Sequence, residues 1–127
     1  MFVRIEISNG ELVDKITILE LKLKNIKNND EKLINVKKEY DILNEALKLI
    51  NIGVNSNLYK KLYEINKKLW DIEDKIRTKE RDKEFDHEFI ELARSVYFTN
   101  DIRAKLKREI DVITESIIIN EKSYEEY

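Results

Sequence analysis

Cysteine and proline are absent from this chain of 127 residues, and glycine occurs only twice, at Gly10 and Gly53. The lack of cysteine excludes disulfides, thiolate metal ligands and cysteine nucleophiles, and it fits a reducing compartment. Proline and glycine interrupt regular structure, so their scarcity favours long, uninterrupted helices. We therefore expect a fold that depends on helix packing rather than on cross-links or tight turns.

The chain also lacks a large net charge of either sign. Charged residues make up 39% of the sequence, yet the formal net charge is only −2. Such a balance gives no bulk attraction to nucleic acid or to an anionic membrane, which argues against both as partners. The start of the chain is too short and too charged for a signal peptide, and no apolar run approaches the roughly 20 residues of a membrane span. These features predict a single helical domain over residues 1–127 that is located in the cytoplasm, or in the host cytoplasm if the protein is viral.

Apolar residues recur at alternating spacings of three and four, which is the pattern of packed helices. The predicted helices cover about residues 12–26, 33–50 and 58–76, and a last apolar seam follows them. Ser8 and Glu11 have the form of a capping box before the first helix. Because a few helices in so short a chain do not cover every apolar stripe, the seams favour a homo-oligomer.

Both ends of the chain have strand-like patterns. Residues 2–7 alternate between apolar and polar from Val3 onward, and Ile117 to Ile119 form a β-branched run. A single strand would leave its backbone groups unpaired, so the two segments are predicted to pair with each other. The expected fold class is therefore mainly α, an antiparallel helical bundle with a small two-stranded β element formed by the N- and C-terminal segments.

Four segments carry a resemblance to a known family. They are GELVDKITILE (10–20), LWDIEDKIR (69–77), LARSVYFTNDIRAKLKREI (92–110) and EKSYEEY (121–127). Together they span nearly the whole chain, and they resemble an uncharacterised family, a domain of unknown function, found in short bacterial and viral proteins. The resemblance implies a single domain, and it brings no established activity or catalytic residue.

The last apolar seam contains a polar interruption. If one helix runs over about 85–117, the seam positions in its middle fall on Thr99 and Arg103. Alternatively two helices meet there, with Thr99 or Asn100 as the N-cap of the second. A buried arginine requires a carboxylate or an anionic ligand. Arg103 is therefore paired with Asp101 or an acid of the third helix, stands in water beside a helix break, or contributes to an anion site.

The leading functional hypothesis is non-catalytic binding of a small anionic ligand, such as a nucleotide or a nucleotide sugar. Arginine offers a planar fork that suits phosphate, and a tyrosine beside it offers a stacking or hydrogen-bonding surface. The predicted ligand-binding residues are Arg94, Tyr97, Asn100, Asp101, Arg103, Lys107 and Arg77.

Acidic residues of the third helix support a different hypothesis. Close carboxylates can hold Mg²⁺ or act as acid and base, and spacings of this kind occur in all-α nucleoside triphosphate pyrophosphohydrolases. The metal ligands would then be Glu73, Asp74 and Glu80, and Mg²⁺ is the only cofactor that any hypothesis requires. Solvated ion pairing along a helix explains the same acids without a metal. A third hypothesis is a structural or partner-binding helical protein.

Overall fold

Four α-helices make up the regular structure of residues 1–54 and 56–127, which are the residues that the computed structural model describes. In chain order they are α1 (Asn9–Asn25), α2 (Asp30–Leu47), α3 (Asn57–Arg81) and α4 (His87–Ile113). The mainly α fold class is therefore confirmed. None of these helices combines the length and the apolar character needed to span a bilayer.

A polar side chain caps the start of each helix. In every case its oxygen accepts a hydrogen bond from the backbone N–H three residues further on, which satisfies one of the free donors of the first turn. The capping residues are Ser8, Asn29, Ser56 and Asp86. The cap predicted at Ser8 is confirmed, whereas the Glu11 carboxylate turns away to Lys107 Nζ, 2.7 Å distant.

The central helix is α1, whose backbone lies close to that of each of the other three helices, while the backbone of α2 lies close to that of α1 alone among the described helices. The buried core combines apolar side chains of several helices. Val13 and Ile16 of α1, Leu62 of α3 and Ile110 of α4 are all 0% exposed. These residues lie at the three- and four-residue spacings of amphipathic helices, so burial of one face explains why the helices form.

Helix α4 runs unbroken through the polar interruption, which confirms the one-helix alternative. The helix break proposed at Thr99 or Asn100 is wrong. Thr99 is 2% exposed and so lies inside the protein rather than at a solvated helix start. The helix ends at Ile113, one turn earlier than the sequence pattern suggested.

The predicted two-stranded element is wrong, since the described residues contain no β-strand. The two ends of the chain do meet, but through side chains. Asn9 N–H donates to Ser116 Oγ at 3.0 Å, and Asn120 Nδ2 donates to Ser8 Oγ at 3.0 Å. These bonds hold residues 116–120 beside the start of α1, so that the isoleucine run has no backbone ladder with residues 2–7.

Candidate functional site

A buried carboxylate of α1 explains the arginine in the apolar seam. Asp14 is 1% exposed, and the Arg103 guanidinium of α4 binds it with two hydrogen bonds. Arg103 Nε donates to Asp14 Oδ1 at 2.9 Å, and Nη2 donates to Oδ2 at 2.5 Å. This paired geometry matches the arginine fork to both carboxylate oxygens. Arg103 is therefore paired, by an acid of α1 rather than by Asp101 or an acid of α3.

The third helix of the network is α3, which contributes Asn66. Its Nδ2 donates to Asp14 Oδ1 and to Thr17 Oγ1, both at 2.9 Å. The Thr17 hydroxyl in turn donates to the backbone carbonyl of Asp14 at 2.7 Å. Since each polar group is bonded, the burial of this cluster does not leave unsatisfied donors or acceptors.

Opposing effects determine the protonation states of Asp14 and Arg103. Burial raises the pKa of the Asp14 carboxyl, but hydrogen bonds from Arg103 and Asn66 and the positive charges of Arg103 and Lys107 outweigh it, so the pKa lies below its ordinary value. The hydrogen bond to Asp14 raises the pKa of the Arg103 guanidinium. Both groups are therefore charged at neutral pH.

A second ion pair extends the cluster toward the surface. Lys107 Nζ lies 2.7 Å from Glu11 Oε2 and 3.9 Å from Asp14 Oδ2. Asn120 Nδ2 also donates to Glu11 Oε2, at 3.3 Å. Glu11, Asp14, Arg103 and Lys107 thus form a network of two acids and two bases, which we call the charge network.

The start of α1 lies directly against α4. Gly10 N–H donates to Asp111 Oδ1 at 2.6 Å, and the other oxygen of this buried carboxylate accepts from Asn120 N–H at 3.1 Å. A Cβ on Gly10 would overlap the Lys107 carbonyl oxygen and lie 2.8 Å from Asp111 Oδ1. An internal carboxylate therefore occupies the positive end of the α1 dipole, where an external anion would otherwise bind.

A groove of about 260 Å³ lies between α4 and residues 120–122, beside the charge network. We call it the basic groove, because five of its lining side chains are cationic and one is a carboxylate. The charged lining residues are Arg103, Lys105, Lys107, Arg108, Lys122 and Glu121. Arg108 Nε lies 3.2 Å from Glu121 Oε1, and both side chains are more than half exposed. The groove can therefore present positive charge to a ligand.

Of the seven predicted ligand-binding residues, the structure brings Arg103 and Lys107 to the basic groove. Asn100 is next to them, where its Oδ1 accepts from Arg103 Nη1 at 3.5 Å. It lines a second, open cavity of about 410 Å³, together with Arg103, Asn66 and Trp70. The α3 side of this cavity is apolar and acidic, with Glu73 and Asp74, and Arg103 is its one cationic lining residue among the described ones, so it is less positive than the basic groove.

Three other predicted residues of α4 lie apart from the groove. Arg94 is half exposed and pairs with Glu91 at 2.9 Å. The Tyr97 ring packs against the Tyr127 ring at 5.4 Å between centroids, and the Asp101 carboxylate accepts a hydrogen bond from the Tyr127 hydroxyl. Tyr97 and Asp101 therefore hold the end of the chain on α4, and Arg94 forms no hydrogen bond or ion pair with it within the described residues.

The remaining predicted residues lie on α3. Arg77 is exposed and pairs with Glu73 at 3.2 Å, and Glu80 pairs with Lys83 at 3.8 Å. Asp74 lies at the rim of the second cavity. No group of three acidic or histidine side chains able to hold a metal ion occurs within residues 1–54 and 56–127. The geometry of α3 therefore gives the magnesium hypothesis no support and matches surface ion pairing.

Several residues of the site were not among the predicted ones. Asp14 binds Arg103, Asn66 donates to Asp14, and Lys105, Arg108 and Lys122 line the basic groove. The sequence did contain a signal for Asp14. This residue lies four residues after Gly10 and three before Thr17, so these three residues form a stripe of small and polar residues along one face of α1.

Comparison with known proteins assigns nearly the whole chain to one family. The matching family model, described as a family of unknown function (DUF6165), covers residues 3–127. Comparisons with curated proteins and with solved structures gave no match. The match agrees with the resemblance to a family of unknown function, and the family description names no activity, ligand or partner. The chain belongs to the DUF6165 family.

Proposed function

We propose that this protein binds a small phosphate-bearing anion, such as a nucleotide or a nucleotide sugar, in the basic groove and does not transform it chemically. The observation that carries the proposal is the concentration of five cationic side chains around one groove, in a chain whose net charge is −2. Local positive charge of this kind attracts anions even when the whole protein is weakly acidic.

The cations of the groove fall into two groups, those fixed by buried or partly buried carboxylates and those available to a ligand. Arg103 and Lys107 are held by the carboxylates of the charge network, so they form a fixed part of the wall. Lys105 and Lys122 form no ion pair within the described ranges of the chain. The pair of Arg108 with Glu121 is solvent-exposed, and exposed pairs are worth only about 0–1 kcal/mol. A phosphate group can therefore displace Glu121 and bind Lys105, Arg108 and Lys122.

The size of the groove limits what it encloses. A volume of about 260 Å³ is below the roughly 300–1,000 Å³ of pockets that surround a drug-sized ligand. We therefore expect the groove to hold the charged end of a ligand while the remainder lies on the surface of α4. Its only carboxylate lining residue, Glu121, is bound to Arg108, so the groove favours charge neutralisation over acid–base chemistry.

A ligand-induced shift in thermal stability tests the proposal. Inorganic pyrophosphate, a nucleoside triphosphate and a nucleotide sugar are added separately, with sodium sulfate as an ionic-strength control. A ligand at 100 times its Kd stabilises the folded state by about 2.7 kcal/mol, which is roughly a 10 °C rise in Tm for a chain of this length.

The matched variants carry the same change in charge. Lys105→Ala/Lys122→Ala should lose the ligand-induced rise in Tm, whereas Lys60→Ala/Lys68→Ala, which removes two exposed lysines of α3, should keep it. The proposal is wrong if no phosphate-bearing probe raises Tm more than sulfate does. It is also wrong if the groove variant and the α3 variant respond equally.

A further inference from the structure

The N-terminal segment, residues 2–7, has the sequence of a β-strand but no partner strand. Phe2, Val3 and Ile5 are 69%, 79% and 75% exposed. Within the described part of the chain, the backbone of this segment forms no hydrogen bond with other residues. Exposed β-branched side chains beside free backbone donors and acceptors are a template for pairing with another chain.

One face of the segment is continuous with the protein core. Ile7 packs against the core cluster, and in an extended chain Val3 and Ile5 lie on the same face as Ile7. A groove of about 580 Å³ with both apolar and polar lining residues adjoins Ile7. Its apolar part includes Leu49 and Ile117, which are 86% and 101% exposed. A pair of strands would therefore have an uncovered apolar surface against which to pack.

The sequence of the segment is complementary to itself in one antiparallel register. When Ile5 lies opposite Ile5 of a second copy, Arg4 lies opposite Glu6 and Val3 lies opposite Ile7, and each pairing occurs twice. Opposite charges and β-branched pairs at facing positions stabilise a sheet. If Arg4 instead lay on the two-fold axis, two arginines would face each other. Charge therefore selects the register centred on Ile5.

We propose that two copies of this chain associate through antiparallel pairing of their N-terminal segments, with Ile5 on the two-fold axis. An isologous contact of this kind closes on itself and yields a dimer rather than a filament. The inference is independent of the basic groove, because none of the residues involved lines it. It also gives the homo-oligomer expected from the apolar seams a defined interface.

A charge exchange tests the register. The mass of the full-length protein in solution is measured by sedimentation equilibrium over a range of concentrations at low salt. Arg4→Glu and Glu6→Arg should each raise the dimer dissociation constant about tenfold or more, because each creates two like-charge pairs. The double variant Arg4→Glu/Glu6→Arg should restore the wild-type constant within a few-fold. Both side chains are exposed, so helix content by circular dichroism should stay constant.

Single cysteines give a second test, because the chain has none of its own. Ile5→Cys should form a covalent dimer on mild oxidation, since facing residues on paired strands have Cα atoms close enough for a disulfide. Val3→Cys is the control, because the proposed register separates its two copies along the strands by four residues. A wild-type monomer at all concentrations, a dimer indifferent to the charge variants, or equal cross-linking at both positions would overturn the proposal.

Discussion

Replacing Arg103 with alanine is expected to destabilise the protein strongly, because it leaves the Asp14 carboxylate buried without the guanidinium that neutralises it. Asp14 is 1% exposed and is bound at both oxygens by Arg103. Removing one partner of a buried ion pair costs about 3–5 kcal/mol, against a total unfolding free energy of about 5–15 kcal/mol for a typical domain. The expected fall in Tm is roughly 10–20 °C.

The double variant Asp14→Ala/Arg103→Ala separates charge from packing. It removes more side-chain atoms than Arg103→Ala does, but it leaves no unpaired buried charge. We therefore expect the double variant to be more stable than the single variant Arg103→Ala. The non-additivity follows from the direct contact between the two residues.

The stability difference between the wild type and Arg103→Ala should depend on pH in a defined direction. In the wild type the pKa of Asp14 is lowered, so the ion pair stabilises the fold above the ordinary carboxyl pKa of about 3.9 and loses this contribution as pH falls through the lowered pKa. Without Arg103 the pKa of Asp14 rises, and the buried carboxyl can take up a proton at a higher pH. The difference in unfolding free energy between wild type and Arg103→Ala should therefore narrow from pH 7 to pH 3.

Urea denaturation followed by circular dichroism at several pH values measures the unfolding free energies of the wild type, Arg103→Ala and the double variant. A stability difference that does not change with pH would show that Arg103 acts through the packing of its aliphatic stem. A double variant less stable than Arg103→Ala would lead to the same conclusion. Either result would refute the argument from an unpaired buried charge.

Three further substitutions test other parts of the fold, each by urea denaturation. Gly10→Ala should destabilise the protein by about 2 kcal/mol or more, because the alanine Cβ would overlap the Lys107 carbonyl oxygen. At a helical site without such an overlap, alanine is favoured over glycine by about 1 kcal/mol. A stabilised variant would therefore show that α1 and α4 are further apart. Tyr59→Phe should cost about 1–2 kcal/mol through loss of the hydrogen bond to Glu20 at 2.9 Å, and an unchanged midpoint would mean that water replaces the hydroxyl. Lys83→Gly should stabilise by about 0.5–1 kcal/mol, because Lys83 has a φ of 54°, a conformation that glycine adopts without strain; a lower midpoint would contradict this.

The helices could be predicted from the sequence because their apolar residues keep the three- and four-residue spacing of a buried face. The stripe through Leu12, Ile16 and Leu19 is indeed buried. A second stripe on α1, through Gly10 and Asp14, contacts α4 and was not recognised, since an apolar pattern does not reveal a glycine and a carboxylate. Which acid binds Arg103 depends on tertiary packing, so the sequence interpretation named Asp101 or an acid of the third helix, and both were wrong because the partner is Asp14 of α1.

The error at the chain ends has a similar cause. Strand-like patterns in residues 2–7 and 117–119 describe which face of a strand could be buried, but not whether a ladder forms. Hydrogen bonds from Asn9 to Ser116 and from Asn120 to Ser8 determine where the C-terminal segment lies. Single polar side chains at helix ends decide this arrangement, and periodicity carries no information about them. The basic groove depends on the same arrangement, because residues 120–122 form one wall.

Because the backbone of α2 lies close to that of α1 alone among the described helices, we expect α2 to open before the rest of the fold. Leu47 is the sole buried residue of α2, and the Asp14–Arg103 pair lies among the other three helices. Local unfolding free energy follows the number of buried contacts, so backbone amides of α2 should exchange with deuterium faster than those of α1. Detachment of α2 would expose its apolar stripe to solvent while the remaining three helices, and the polar cluster between them, stay folded.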